Sequence, residues 1–318
     1  MDKTFKLTIN GTKQRVRLCG SRDGLPPVLI VQAGPGFPLL NEVAKFRDRL
    51  NLESSFTVAY WDQRGCGRAP LQDAKSVSFA SQVDDLSHVV RWLAEETGQQ
   101  VVVLGISLGA TLAWQEAHHE TASIKALVAV SIDLDAKESD SSAFAFLQEC
   151  SRQPGKHKMA QSVKKLVSPP YTNPVLFQLR ARLLADSGCI ERGMRFGDLL
   201  RGLLFSLTRT YGLFGVISTV RNMNAIQGKL LPELAALDLF ADWRPLTIPT
   251  HYIFGDCDPL VTPSMRKKLA GLMAGHDTLI STPEAGHMVH FDVPSVVRSG
   301  VTQAHACGGE NLVIHRNR

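Results

Sequence analysis

What this chain lacks narrows its possibilities first. Its longest apolar stretch, residues 203–217, is interrupted by Arg209, whereas a membrane-spanning helix needs about 20 consecutive apolar residues. The opening residues, Met1-Asp2-Lys3-Thr4-Phe5-Lys6, are charged and lack the apolar segment of a secretory leader. Six cysteines (Cys19, Cys66, Cys150, Cys189, Cys257, Cys307) are scattered, with no C-x-x-C pair and no histidines at zinc spacing, so neither a disulfide framework nor a metal site is expected. Lysine and arginine outnumber the acids only by 35 to 30, a formal charge of +5, and form no basic arm; nucleic acid is therefore not an expected partner. No repeat or low-complexity segment interrupts the chain. The expectation is a cytoplasmic protein with free thiols that works on a small molecule. No membrane, metal or organic cofactor is expected, and the oligomeric state is left open.

Hydrophobic patterning supplies the architecture. A hairpin turned at Asn10-Gly11 joins residues 5–9 to 14–19. Short apolar runs at 28–32, 56–61, 101–106 and 124–132 then alternate with amphipathic stretches at 39–50, 81–96 and 108–118. This strand–helix rhythm predicts an α/β fold, a mostly parallel sheet with helices on both faces. Residues 136–240 break the rhythm, being helical in pattern without a buried strand. It resumes with strands at 250–254 and 278–281 and helices at 263–273 and 294–301. The predicted organisation is a core over 1–135, an inserted helical cap over 136–240, the rest of the core over 241–302, and a tail over 303–318.

The chemistry-bearing signal is Gly105-Ile106-Ser107-Leu108-Gly109, between an apolar strand and a helix. A serine hydroxyl is a weak nucleophile and must stand exposed on a tight strand-to-helix turn. Small residues two positions to either side let strand and helix approach closely enough to make that turn. Such a nucleophile needs a base, and the base needs an orienting acid. Asp258 follows the strand at 250–254, and His287 follows the next, in the chain order Ser, Asp, His. Asp256 reads as a turn residue; Asp133 and Asp135, after an earlier strand, are alternative acids. His290 is a candidate cleft contact or an exposed loop residue, and His118 and His119 read as helix-end histidines. For the oxyanion, the donors expected are the backbone N–H groups of Leu108 and of Gly34 in the loop Gln32-Ala33-Gly34-Pro35-Gly36, with Ala33 as the alternative to Gly34.

Together these motifs resemble one family. Residues 32–36 are similar to the H-G-G-P-G loop of the proline iminopeptidase branch of the α/β hydrolases. Asp62-Gln63-Arg64-Gly65-Cys66-Gly67-Arg68 resembles its D-Q-R-G-x-G-R segment, and residues 105–109 its nucleophile turn. Gly255–Asp258 and Gly286-His287 complete the pattern. The resemblance covers about residues 25–135 and 245–300. It implies the α/β-hydrolase fold with Ser107, Asp258 and His287 as catalytic residues. Gln32, Ala33 and Ala69 depart from the family's residues. Segment 62–68 reads as structural, a packed turn beside the oxyanion loop.

Charge in the cap bears on substrate. The branch binds a free N-terminal ammonium with cap carboxylates, yet residues 136–240 carry 14 Lys/Arg against 8 Asp/Glu. A net +6 there disfavours a cationic substrate, although Glu191, Asp198 or Glu233 could face inward. The cap's apolar residues, Leu204, Phe205, Leu213 and Phe214 among them, read mostly as lid core with some lining an acyl or aryl pocket. The expected activity is hydrolysis of a small apolar ester or related acyl compound through an acyl-enzyme. A proline iminopeptidase-type aminopeptidase is the alternative, and a non-catalytic small-molecule receptor a remote one.

Overall fold

The structure is a computed structural model that describes residues 1–67, 69, 71, 76–119 and 121–306. Strands β1 (Asp2–Ile9) and β2 (Thr12–Cys19) form the hairpin at Asn10-Gly11, where both residues adopt positive φ. Next come β3 (Pro27–Val31), helix α1 (Val43–Leu50), β4 (Thr57–Asp62), α2 (Phe79–Thr97), β5 (Val101–Ile106), α3 (Leu108–Glu116) and β6 (Ile124–Val130). Helices α4 (Ala136–Arg152), α5 (His157–Val163), α6 (Pro174–Ser187) and α7 (Phe196–Leu234) make the cap. The core ends with β7 (Thr250–Gly255), α8 (Pro263–Ala270), β8 (Thr278–Thr282), α9 (Val289–Asp292) and α10 (Pro294–Ala306).

Among the described residues, eight strands form one sheet in the order β1-β2-β4-β3-β5-β6-β7-β8. β2 pairs antiparallel with β1 and β4, and every later pairing is parallel. Because side chains alternate across a strand, each central strand feeds both faces. Leu29, Val31, Val101 and Val103 pack with Val83, Leu86 and Leu112 of α2 and α3. Val28, Ile30, Val102 and Leu104 pack with Phe46 of α1 and Val297 of α10. Full burial of each such side chain contributes about 1.5–3 kcal/mol, which is why these strands read as unbroken apolar runs. Helix α2 shows how local signals set an end. Ser78 and Ser81 cap its start reciprocally, with Ser81 N to Ser78 Oγ 3.1 Å and Ser78 N to Ser81 Oγ 2.9 Å, and left-handed Gly98 stops it.

Two boundaries differ from the sequence pattern. Helix α1 starts at Val43, not residue 39; ahead of it, the N–H groups of Leu39 and Leu40 are held in a turn by Asp62 Oδ1 at 2.8 and 2.9 Å. Their side chains are nevertheless buried. Of the expected tail over 303–318, residues 303–306 belong to α10, whose Val301 and Ala304 pack on the sheet. Residues 307–318 lie outside the described residues.

The cap holds a small core of its own, with Ala143, Leu147, Val163, Leu166, Tyr171, Leu183 and Leu184 buried together. Much of α7 does not join it. Tyr211 and Leu207 are buried, but Leu204, Phe205, Leu213 and Phe214 are exposed, which corrects the expectation that they form lid core. The helix is interrupted at Gly212, whose φ of 74° and ψ of 173° are not helical, so its two halves present different faces inward.

Candidate active site

The sheet's C-terminal edge gathers the predicted residues. Ser107 stands between β5 and α3 with φ 51° and ψ −124°, a conformation that costs a non-glycine residue roughly 1–3 kcal/mol. The neighbours enforce it. A Cβ on Gly105 would strike the backbone of Ala110, and one on Gly109 the carbonyls of Val31 and Gln32, so the turn closes only with glycine at both positions. Ser107 N donates to Val130 O of β6 at 2.8 Å, and its carbonyl accepts from Ala110 N at 2.8 Å.

His287 and Asp258, the expected base and acid, arrive on adjacent loops. His287 Nδ1 lies 2.8 Å from Asp258 Oδ2, and Asp258 Oδ1 accepts from Leu260 N at 2.9 Å. An ionised carboxylate only accepts hydrogen bonds, so the imidazole proton belongs on Nδ1, leaving the Nε2 lone pair available. Ser131 Oγ donates to the His287 carbonyl at 2.8 Å; the β6 end therefore anchors both the serine turn and the histidine loop. Burial presses the His287 pKa down, but the charge and hydrogen bond of Asp258, helped by Asp133, outweigh it, and the net shift is upward. Asp256 points elsewhere, pairing with Arg266. Asp135 caps α4 by accepting from Glu138 N at 3.0 Å.

Asp133 faces the reacting centre. Burial raises its pKa against the pull of the nearby His287 and Arg180 charges. Arg180, reaching in from α6, is ion-paired with Asp140, and burial pushes its pKa down to about 10 against the charge of Asp133. Sequence reasoning did not single out Arg180; nothing in the sequence separates this buried arginine from the solvated ones around it. On the other side, Lys45 Nζ meets Glu191 Oε2 at 2.6 Å and lies 3.7 Å from the Phe291 ring centroid. His290 is neither a cleft contact nor an exposed loop residue. It is buried and stacked on Phe46 with ring centroids 5.3 Å apart, and burial, then Lys45 and His287, hold its pKa well below the usual histidine range. His118 ends α3, with its ring nitrogens on the Trp114 and Arg244 carbonyls at 2.9 and 3.0 Å.

The two oxyanion candidates are neighbours. A Cβ on Gly34 would come 3.0 Å from Leu108 Cδ2. Leu108 opens α3, so its N–H is one of those a helix start leaves unpaired within the helix. Segment 62–67 braces this loop. Asp62 holds the Leu39 and Leu40 amides and accepts from Tyr211 Oη of the cap at 2.8 Å. Arg64 grips Asp85 through two bonds of 2.5 and 2.6 Å. Arg68 lies outside the described residues. The cap also reaches the histidine loop: His287 N and Met288 N donate to the Cys189 and Ile190 carbonyls at 2.8 and 2.7 Å. Ser107, His287 and Asp258 are all buried beneath it.

Comparison with known proteins agrees with this fold. The sequence pattern of the alpha/beta hydrolase family matches residues 28–299. The probable aminopeptidase YbaC of Bacillus subtilis (strain 168) is 24% identical over 304 residues, covering 92% of each chain. The proline iminopeptidase of Mycobacterium smegmatis superposes with a TM-score of 0.68 at 17% identity, over 96% of this chain and all of that one. A proline iminopeptidase-related protein of Thermus thermophilus gives 0.64 at 18% identity, over 96% and 98%. At these identities the two solved structures speak to fold.

Proposed function

Because the chain belongs to the alpha/beta hydrolase family, we propose that it is a serine hydrolase cleaving a small apolar ester or related acyl compound through an acyl-enzyme. The observation that carries this reading is the 2.8 Å bond from His287 Nδ1 to Asp258 Oδ2, beside a serine held at φ 51° on the turn after β5. His287 Nε2 takes the Ser107 proton as Oγ attacks the substrate carbonyl. The tetrahedral oxyanion accepts hydrogen bonds from the Leu108 and Gly34 amides. Collapse of the intermediate breaks the acyl–oxygen bond, and the imidazolium returns the proton to the leaving alcohol. Water, deprotonated by His287, then attacks the acyl-enzyme, and Ser107 leaves reprotonated with the acid as product.

The substrate reading follows charge. Of the cap acids that could meet an ammonium, Glu191 is ion-paired with Lys45, Asp198 with Arg201, and Glu233 accepts from the Phe79 amide. Their pairing and the cap's net +6 favour a neutral or anionic substrate. Replacing Ser107 with alanine should abolish p-nitrophenyl butyrate hydrolysis and fluorophosphonate labelling while leaving the melting temperature close to wild type. Undiminished labelling would refute the assignment.

One observation favours a second reading, an aminopeptidase. The Asp133 carboxyl lies close enough to Ser107 and His287 to interact with both electrostatically, and the α-amine of an aminoacyl substrate lies two bonds from the carbonyl carbon that Ser107 attacks. An ionised Asp133 is thus within reach of such an ammonium. Turnover of a proline arylamide far above that of the butyrate ester would reverse the order of the two readings.

A further inference from the structure

Among the described residues nine large apolar side chains are exposed, all in the cap, and seven of them lie on α7: Leu200, Leu204, Phe205, Leu213, Phe214, Ile217 and Val220. The exposure is large where it matters, 69% for Phe205, 67% for Leu213, 87% for Phe214 and 60% for Ile217. Their spacing of three and four residues (200/204, 213/217, 214/217/220) puts them on the outer flank of the helix. The inner flank is occupied: Tyr211 bonds Asp62, and Asn222 Nδ2 donates to Gly65 O at 3.1 Å. Monomeric soluble proteins rarely leave so many large apolar side chains of one element bare. Length and composition alone would let α7 cross a bilayer, but the break at Gly212 and the buried inner flank hold it on the core.

Charge decides among occupants. From Phe196 to Asn224 the charged residues are Asp198 and three exposed arginines, Arg201, Arg209 and Arg221, of which Arg201 pairs with Asp198, leaving a net charge of +2. A second copy docked through the same face would bring these arginines against their own equivalents, as a two-fold interface pairs a patch with itself. An anionic lipid surface complements the face on both counts: acyl chains receive Phe205, Leu213, Phe214 and Ile217, and lipid phosphates meet the arginines. We propose that the outer flank of α7 docks on an anionic membrane surface as an interfacial, non-spanning helix. This reverses the expectation of no membrane partner. The docked helix would sit back to back with the oxyanion loop, since a Cβ on Gly36 would touch Met223 of its inner flank at 3.2 Å.

The test is co-sedimentation of the whole protein with vesicles of phosphatidylcholine alone or mixed with phosphatidylglycerol. Wild type should pellet with the mixed vesicles and far less with the neutral ones. The double variant Phe205→Ser/Phe214→Ser should partition at least tenfold more weakly. Arg201→Gln/Arg209→Gln/Arg221→Gln should lose the preference for phosphatidylglycerol. Both variants should hydrolyse soluble p-nitrophenyl butyrate as wild type does, which shows that they fold. Ser107→Ala should bind vesicles undiminished, so the docking stands or falls apart from the catalytic assignment. Wild type left in the supernatant, or binding unchanged in the phenylalanine variant, would overturn the proposal. So would a dimer in sedimentation velocity that this variant dissolves while vesicle binding is absent, which would hand the face to a second copy.

Discussion

Replacing Asp258 with asparagine tests the proposed mechanism on two axes at once. The Asp258 side chain is fully shielded from solvent and bonds both His287 Nδ1 and Leu260 N. Asparagine keeps the shape and can still accept from Leu260 N with its carbonyl oxygen. Its amide then faces Nδ1 as a donor, which drives the imidazole proton to Nε2, the atom that must receive the Ser107 proton. The loss in kcat/KM should be about 10³–10⁴, or roughly 4–5.5 kcal/mol of transition-state stabilisation at about 1.4 kcal/mol per decade. The pH profile should move as well. In the wild type burial lowers the His287 pKa, while Asp258 foremost, and Asp133 after it, raise it above the ordinary 6.5. Activity should therefore rise through an inflection above pH 6.5, where the base becomes neutral. In the variant burial dominates, and the small residual activity should inflect below 6.5. Initial rates on p-nitrophenyl butyrate across pH, with a thermal melt as folding control, measure both quantities. A loss smaller than tenfold, or an inflection that does not move, would refute the roles given to Asp258 and His287.

Three further outcomes follow from the same contacts. Gly109→Ala should prevent folding to the native state, because the added methyl meets the Val31 and Gln32 carbonyls; soluble protein with wild-type melting would contradict this. His290 is buried neutral with a strongly lowered pKa, so the unfolded chain binds a proton there that the folded one does not, and stability should fall as pH drops below about 6.5. The contribution approaches about 1.4 kcal/mol per pH unit. His290→Gln should flatten the urea-unfolding free energy over that range, and parallel slopes would contradict the reasoning. Asp133→Asn should leave ester turnover within tenfold of wild type yet weaken binding of an aminoacyl arylamide more than tenfold, measured as KM. Equal effects on both substrates would remove the argument for an ammonium site.

Much of the fold could be read from the sequence because its constraints are local. Gly105, Ser107 and Gly109 are fixed by contacts between one strand, one helix and the end of β3, and β5 without a polar side chain, beside a β6 whose one charge is Lys125, announces a sheet covered on both faces. What required coordinates was the partner of each residue. Asp256 and Asp258 look alike in sequence, yet one side chain swings to Arg266 and the other to His287. His290 lies three residues past His287, in the short helix α9, and turns into the core against Phe46. Arg180 is one of 14 basic cap residues, and only the packing of α6 buries it. The apolar residues of α7 failed in the opposite sense: helical periodicity defines a face without saying what covers it, and the lid core chosen for Phe205 and Phe214 is made instead by α4, α5 and α6.

These contacts make the cap more than a cover. Its α7 half bonds Asp62 and Gly65 and, through Gln227 Nε2 at 3.4 Å, the Pro35 carbonyl in the oxyanion loop. Its 189–190 segment accepts from the amides of His287 and Met288. The loop proposed to supply oxyanion donors and the proposed general base thus both hang partly on cap backbone and side chains. If substrate enters by cap movement, as the burial of Ser107 under the cap suggests under the proposed mechanism, movement of either half would loosen one of these two segments. Entry and alignment are consequently coupled, and a substitution that frees the cap, such as Tyr211→Phe, which removes the 2.8 Å bond to Asp62, acts on kcat as well as on KM.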